Sequence, residues 1–403
     1  MTRMLRDTLQ EWAGEAAVPH DLADRALRRR VRWPAVTAVG LVTGLLVAVA
    51  GYVIGPGGAE DTVRPAVEVT LPARPSPAPT DVRADTGDRL PRKLVAAGNV
   101  AVSAYWTHSV EKLPGSMERL RRSWWLYDPR TGGYERTSWA WVDVAPGLQV
   151  AAAIDGDGLG RRLVVVDLGT RRILTDVVLE HAVGSVVWSP DGTRLLATTY
   201  SEYPELWRRL AKNSLETPAS TRTGYYVVDA ATGEAEHHAL PPMRSGAEPG
   251  FGDGPSNGNS RQDLGWSADG SLIWEPSTRR QQYRVYRTPD GRPHDAPAED
   301  RYLGRNGWSR LSPDGTRLLG EPGLPTRITD VRTGDVVGRQ PVLQLLAWAD
   351  DDNVVALGCR GDCPNEFDAG LVLVSVDGTR MTPLTGKSDS RKEGSPVWVL
   401  TPR

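Results

Sequence analysis

From residue 92 onward, short apolar runs are separated by turn-forming residues at recurring intervals, which is the pattern of strands rather than helices. The clearest instance is residues 186–196, Val-Val-Trp-Ser-Pro-Asp-Gly-Thr-Arg-Leu-Leu, an apolar run ending in Trp188, a Pro-Asp-Gly turn and a second apolar run. Proline presets φ early in such a turn and glycine supplies the positive φ that closes it, so the stretch predicts a tight β-hairpin. Versions recur at 264–273, 310–319 and 345–356. Recurrence of this kind signals a repeat architecture.

Two hairpin types alternate. One carries Trp188-Ser-Pro-Asp-Gly192, Trp266-Ser-Ala-Asp-Gly270, Leu311-Ser-Pro-Asp-Gly315 and Trp348-Ala-Asp-Asp-Asp352, with a worn copy at 144–147. The other has an Asp-x-x-Thr-Gly flavour, at Asp128, Asp167, Asp229 and Asp330, with shorter forms at Thr288 and Val376. Together they make six units of four strands, the layout of propeller blades with insertions. On these turns, residues 92–403 resemble the TolB-like and WD-repeat-like β-propellers. The resemblance implies an all-β, six-bladed β-propeller, with a seventh blade left open. The first unit lacks its Trp-Ser-Pro-Asp-Gly turn, and Gly394-Ser-Pro-Val-Trp398 repeats the approach seen at Gly184-Ser-Val-Val-Trp188. That last strand either closes the ring against the first unit or begins an incomplete blade.

Ahead of the repeats the pattern changes. Residues 34–54 are 21 consecutive positions without a charge, enough at about 1.5 Å per residue to span a hydrocarbon core of roughly 30 Å as a transmembrane helix. Arg25, Arg28, Arg29, Arg30 and Arg32 precede this run, and Glu60 and Asp61 follow it. The positive-inside rule then puts residues 1–33 in the cytoplasm and the remainder outside, single-pass in the cell membrane. A cleavable signal peptide is the competing reading, through Ala48-Val-Ala50, but the charged leader is long for one. Residues 1–33 read as a helix-prone cytoplasmic lead-in, or as a docking helix with Leu5, Leu9 and Trp12 on one face. Residues 55–91 are rich in Pro and Gly and read as a semi-rigid spacer.

Composition narrows the function classes. The formal net charge is -2, which gives no global pull toward nucleic acid. Only five of the 48 basic residues are lysine, a bias of high-GC bacterial genomes. The two cysteines, Cys359 and Cys363, bracket Arg-Gly-Asp and can form one local disulfide outside the cell; the tripeptide itself is read as a chance match.

The long insertions, 107–123, 201–224, 243–262, 292–306 and 359–370, all fall in the connection class that a propeller places on one face. That looped face is the expected binding surface. Residues 201–224 predict a short helix with Leu206, Trp207 and Leu210 as an apolar stripe, either packed back on the body or offering Tyr203, Trp207, Arg208 and Arg209 to a partner. Phe251 and Trp308, from the neighbouring insertions, complete the candidate set. The Gly-rich stretch around Phe251 lacks the setting of a phosphate cradle and reads as a loop. No cofactor is called for.

Bond-breaking motifs do not stand out. Gly265-Trp-Ser267 is not followed by the second glycine of a nucleophile elbow, and His108, His181, His237, His238 and His294 are not at ligand spacing. Asp155-Gly-Asp-Gly158 and Asp350-Asp-Asp352 are acidic turns that complete no calcium loop. The leading expectation is a membrane-anchored, extracytoplasmic, non-catalytic module binding an envelope protein or glycan. The alternative is a lactonase-like propeller hydrolase with a metal in the central channel. Alkaline phosphatase fused after residue 91 should be active and β-galactosidase fused there inactive; the reverse pattern refutes the assigned orientation.

Overall fold

The computed structural model describes residues 70–71, 79–211, 214–216, 220–241, 261–276, 284–304, 308–320, 326–359 and 365–403. Segments 1–33 and 34–54, most of the spacer, Phe251 and Cys363 lie outside them. The chain divides into residues Met1–Arg64 and Pro65–Arg403, and only the second unit is described. Among the described residues no helix is long and apolar enough to cross a membrane.

This unit is all-β and propeller-like. It begins with β1 (Val82–Arg83), β2 (Ala96–Ala97), β3 (Val100–Leu113), β4 (Met117–Asp128) and β5 (Gly133–Arg136). Next come β6 (Trp141–Val144), β7 (Val150–Asp157), β8 (Leu159–Asp167), β9 (Ile173–Trp188) and β10 (Arg194–Tyr200). After β11 (Leu206–Ala211) and β12 (Ser214–Glu216) follow β13 (Arg222–Asp229), β14 (Ala235–Ala239), β15 (Gly265–Trp266), β16 (Ile273–Glu275), β17 (Val285–Arg287) and β18 (Pro293–His294). The chain continues through β19 (Arg317–Leu319), β20 (Thr326–Asp330), β21 (Val336–Gln340), β22 (Gln344–Trp348), β23 (Asn353–Gly358) and β24 (Asp368–Ser375). It finishes with β25 (Met381–Pro383), β26 (Ser388–Asp389) and β27 (Pro396–Pro402).

Neighbours in sequence pair antiparallel into successive meanders: β6 to β9, β9 to β14 through β10 and β13, β15 to β18, β19 to β21, and β22 to β25. The long β9 serves two of them, pairing with β8 through its first half and β10 through its second.

The repeated turns explain themselves locally. Asp191 accepts hydrogen bonds from Ser189 Oγ at 2.5 Å and the Thr193 amide at 3.1 Å, while Ser189 Oγ accepts from the Arg194 amide at 2.9 Å. The same three bonds occur around Ser267, Ser312 and Ser375. In the second type, Asp229 and Asp330 each cap two backbone amides, and Gly233 and Gly334 take positive φ of 76° and 75°. The turn at Val376, read from sequence as a short copy of the second type, carries the Ser-x-Asp-Gly bonds of the first.

The recurring tryptophan joins neighbouring sheets. Trp188 Nε1 donates to the Asp143 carbonyl on β6 at 3.2 Å, Trp266 Nε1 to Val187 on β9 at 3.4 Å, and Trp348 Nε1 to Arg310 at 2.9 Å. The first two bonds join the first strand of one meander to that of the meander before it, and the third reaches the segment that precedes β19. Apolar clusters fill the spaces between sheets: Trp124 and Leu126 against Val144 and Val164, Ile154 and Leu163 against Val186 and Leu195, Tyr225 and Leu196 against Trp266 and Ile273. Leu319 and Ile328 meet Trp348 and Val354, and Val355 and Leu371 meet Val95 and Val102. The last cluster joins the end of the repeat region to its beginning.

The same junction is made by hydrogen bonding. Strand β27 pairs antiparallel with β3 from Pro396↔Thr107 to Pro402↔Val100, so the sequence repeat ending in Trp398 closes against the first unit. This explains why that unit lacks its own Trp-Ser-Pro-Asp-Gly turn: its first strand comes from the far end of the chain. Gly98 sits at the seam with φ 54°, and a Cβ there would lie 2.1 Å from the Ala349 carbonyl oxygen. Arg403 binds the Gly98 carbonyl through Nε at 2.9 Å and Asp81 Oδ1 through a guanidinium nitrogen at 3.1 Å.

Three expectations change. Insertion 107–123 is a continuation of the β3–β4 hairpin, turning at Pro114–Ser116. The helix expected within 201–224 is strand β11, because β4 presents an open edge there and Leu206, Trp207 and Arg208 pair with Arg119, Glu118 and Met117. Residues 81–85, inside the stretch read as spacer, join the sheet through β1, and the Asp85 amide bonds the Leu384 carbonyl at 2.8 Å.

Ser103 Oγ and Thr401 Oγ1 lie 2.7 Å apart, both buried, across the β3–β27 seam. Thr401→Val should destabilise the chain by about 1–3 kcal/mol, and Ser103→Ala added to it should cost less than the sum of the two single changes. Urea melts of the four proteins measure this; strict additivity contradicts a coupled seam.

Candidate functional site

First strands from several of the sheets border a cavity of about 1100 Å³. Its walls come from β6 (Trp141, Val142, Asp143), β9 (Val186, Val187), β22 with the residue before it (Leu343, Gln344, Leu346) and β27 (Pro396 to Leu400). Trp106, Trp124, Trp308, Glu366 and Phe367 add to the lining, as do Ser388, Ser390 and Ser395. Residues that alternate along a strand face opposite sides, so only part of each first strand contributes side chains to this space.

Asp143 is the most perturbed acid of the lining. Protein surrounds it while part of its surface meets the cavity, and burial pushes its carboxyl up to about 7 despite backbone hydrogen bonds from Trp188 and Val144. Its Oδ2 accepts the Trp188 amide at 2.8 Å, so the same residue that lines the cavity ties β6 to β9. Ser388 Oγ, on a residue 9% exposed, has no hydrogen-bond partner.

A buried ionic cluster braces the aromatic wall. Glu205 is bonded by both terminal nitrogens of Arg122 and by Arg261 Nη2 at 3.2 Å. Burial pushes the Glu205 carboxyl up, but the charges of Arg261 and Arg122 reverse this and hold it below the ordinary glutamate value. Arg261 also reaches Asp263 Oδ1 at 3.1 Å, which accepts from Ser185 Oγ at 2.7 Å and Tyr200 Oη at 2.8 Å. The Arg122 guanidinium stacks 4.3 Å from the Trp106 ring and that of Arg261 4.6 Å from the Trp141 ring. Neither arginine lines the cavity, so the rings are supported from behind.

The sequence candidates are distributed differently. Tyr203, Trp207, Arg208 and Arg209 lie together on 203–209, beside β4: Tyr203 Oη donates to the Leu120 carbonyl at 2.6 Å, Trp207 Nε1 to Glu118 Oε2 at 2.9 Å, and Arg209 Nε to Glu118 Oε1 at 2.7 Å. Arg208 is exposed and meets Glu216 at 3.4 Å. Trp308 is elsewhere, in the cavity wall. Cys359 is 1% exposed and no free thiol occurs among the described residues; Cys363 and Phe251 lie outside them. The residues that sequence reasoning missed are Trp106, Trp141, Asp143, Gln344 and Trp398. Trp141, Asp143 and Gln344 sit close to repeated turns and Trp398 on the closing strand, while Trp106 carried no such signal.

No group of three or more His, Cys, Asp or Glu side chains able to hold a metal ion occurs among the described residues. No family model matches the chain, and no curated protein matches it either. Among solved structures it is similar to TolB from Acinetobacter baumannii, with 16% identity and a TM-score of 0.34, covering 75% of this chain and 68% of that one. It is also similar to Kuenenia stuttgartiensis hydrazine synthase, with 12% identity and a TM-score of 0.29, covering 61% of this chain and 66% of that one. Likenesses this distant say nothing of what this chain binds.

Because the folded carboxyl of Asp143 sits near 7 against 3.8 for a free one, the native state keeps a proton that the unfolded chain has lost. Its contribution therefore lowers stability as pH rises from about 4 to 7, then levels off. Asp143→Asn should flatten that fall, measured by urea denaturation across the window; an unchanged slope contradicts the shifted acid.

Proposed function

We propose that this chain is a non-catalytic ligand-binding module, a propeller of six blades whose central cavity is the binding site. The observation that carries it is the cavity itself: large enough for a small ligand, walled by indoles, and supplied with a few polar groups at fixed positions. The count of six is read from the alternating turns in the sequence and is supported by the pairing of β27 with β3. Residues 34–54 anchor the module to the bilayer, 1–33 remain cytoplasmic, and the propeller works outside, where Cys359 and Cys363 pair. The partner is an envelope protein or glycan rather than nucleic acid. The exposed Arg208 edge of β11 is a secondary contact surface.

A hydrolase with a channel metal would need at least three donor side chains around one point. The described lining offers Asp143 and Glu366 among its acids, without such a grouping. Binding without turnover is the better reading.

Thermal unfolding of the purified full-length chain, screened against fractionated envelope extract, tests it. A ligand at a hundred times its Kd should add about 2.7 kcal/mol of stability, unaffected by chelator, and be recovered unchanged. Product formation, or protection that survives Trp398→Ala at full strength, overturns this reading.

A further inference from the structure

We propose that the cavity takes a neutral oligosaccharide, with sugar-ring faces against Trp398 and Trp141 and hydroxyl groups bonded to Asp143, Gln344 and Ser388. The inference rests on the binding-module reading and deepens it by naming the ligand class.

The lining combines two kinds of surface. Indole faces offer flat apolar area to the axial C–H groups of a pyranose, and short polar side chains offer donors and acceptors at its edge. Among the described lining residues there is no lysine or arginine, so a phosphate, nucleotide or uronate would enter without a counter-charge. The two guanidiniums nearest the aromatic wall, Arg122 and Arg261, are already committed to Glu205. Burial raises the Asp143 carboxyl to about 7, so below that pH it is mostly protonated, and a protonated carboxyl both donates and accepts, as a sugar hydroxyl requires.

Ser388 adds an independent sign. Its Oγ is buried, lacks a partner and borders the cavity, so the protein has desolvated a hydroxyl without satisfying it. A hydroxylated ligand supplies the missing bond. The size of the space, about 1100 Å³, suits several sugar rings rather than a small ammonium ion. Bracing of Trp106 and Trp141 by stacked guanidiniums keeps the platform in place before the ligand arrives, which lowers the ordering cost of binding.

The test is a neutral-glycan array probed with the labelled full-length chain in detergent, followed by calorimetric titration with the tetrasaccharide retained best. Tetramethylammonium chloride and inorganic phosphate serve as comparators. Retention of a neutral oligosaccharide is expected, with Trp398→Ala and Gln344→Ala each weakening it about tenfold or more. Trp398→Phe should recover part of the loss, and Val178→Ala, on an exposed strand position, should change nothing. Thermal melts establish that each variant is folded. Failure of every neutral glycan, or equal retention by folded Trp398→Ala and Gln344→Ala, overturns the proposal. Binding of tetramethylammonium or phosphate alone would overturn the saccharide and leave the cavity as a binding site. If the extract screen also yields no ligand, the binding-module reading falls with it.

Discussion

The pairing of β27 with β3 is the constraint on which the rest of the structure depends. An open array of small antiparallel sheets would leave two apolar faces and two strand edges unsatisfied, one set at each end. Strand β27 satisfies both at once, through a seven-residue register from Pro396 to Pro402 and through Trp398 and Leu400 packed toward Val102 and Leu371. It joins residues about 300 positions apart, so the loop-closure entropy must be offset by many modest contacts rather than one strong bond. The Ser103–Thr401 hydroxyl pair and the Arg403 guanidinium on Gly98 are such contacts.

The cavity is a consequence of that closure. Its wall includes β27 itself, so the strand that completes the fold also completes the site. The aromatic wall beside it, where Trp106 pairs with Val397 of β27, is stiffened by the Arg122–Glu205–Arg261 cluster. An ionic group this deeply buried is weak evidence for stability, since desolvation opposes the attraction between its charges. Its value here is positional: it fixes two guanidiniums against the Trp106 and Trp141 rings. A network of the same chemistry on the surface would hold neither ring.

What could be read from sequence was what is local. Ser-Pro-Asp-Gly and Asp-x-x-Thr-Gly dictate their own hydrogen bonds within a few residues, so the turns, and from them the alternating strands, were legible. The role of the repeated tryptophan was not, because the partner of Trp188 Nε1 is the Asp143 carbonyl, on another sheet. The spacing of Leu206, Trp207 and Leu210 suits a helix as well as a strand, and the deciding factor, the free edge of β4, lies about 90 residues upstream. The site was hidden for the same reason. Trp141, Gln344 and Trp398 share no neighbourhood in sequence and meet only once the strands are assembled.

Native-state hydrogen exchange of the full-length chain tests closure most directly. Amides of β27 should exchange as slowly as those of β3 and β4, opening only with global unfolding. Rapid exchange over Pro396–Pro402 while β3 stays protected would contradict a fold that depends on this strand, and with it a cavity that this strand walls.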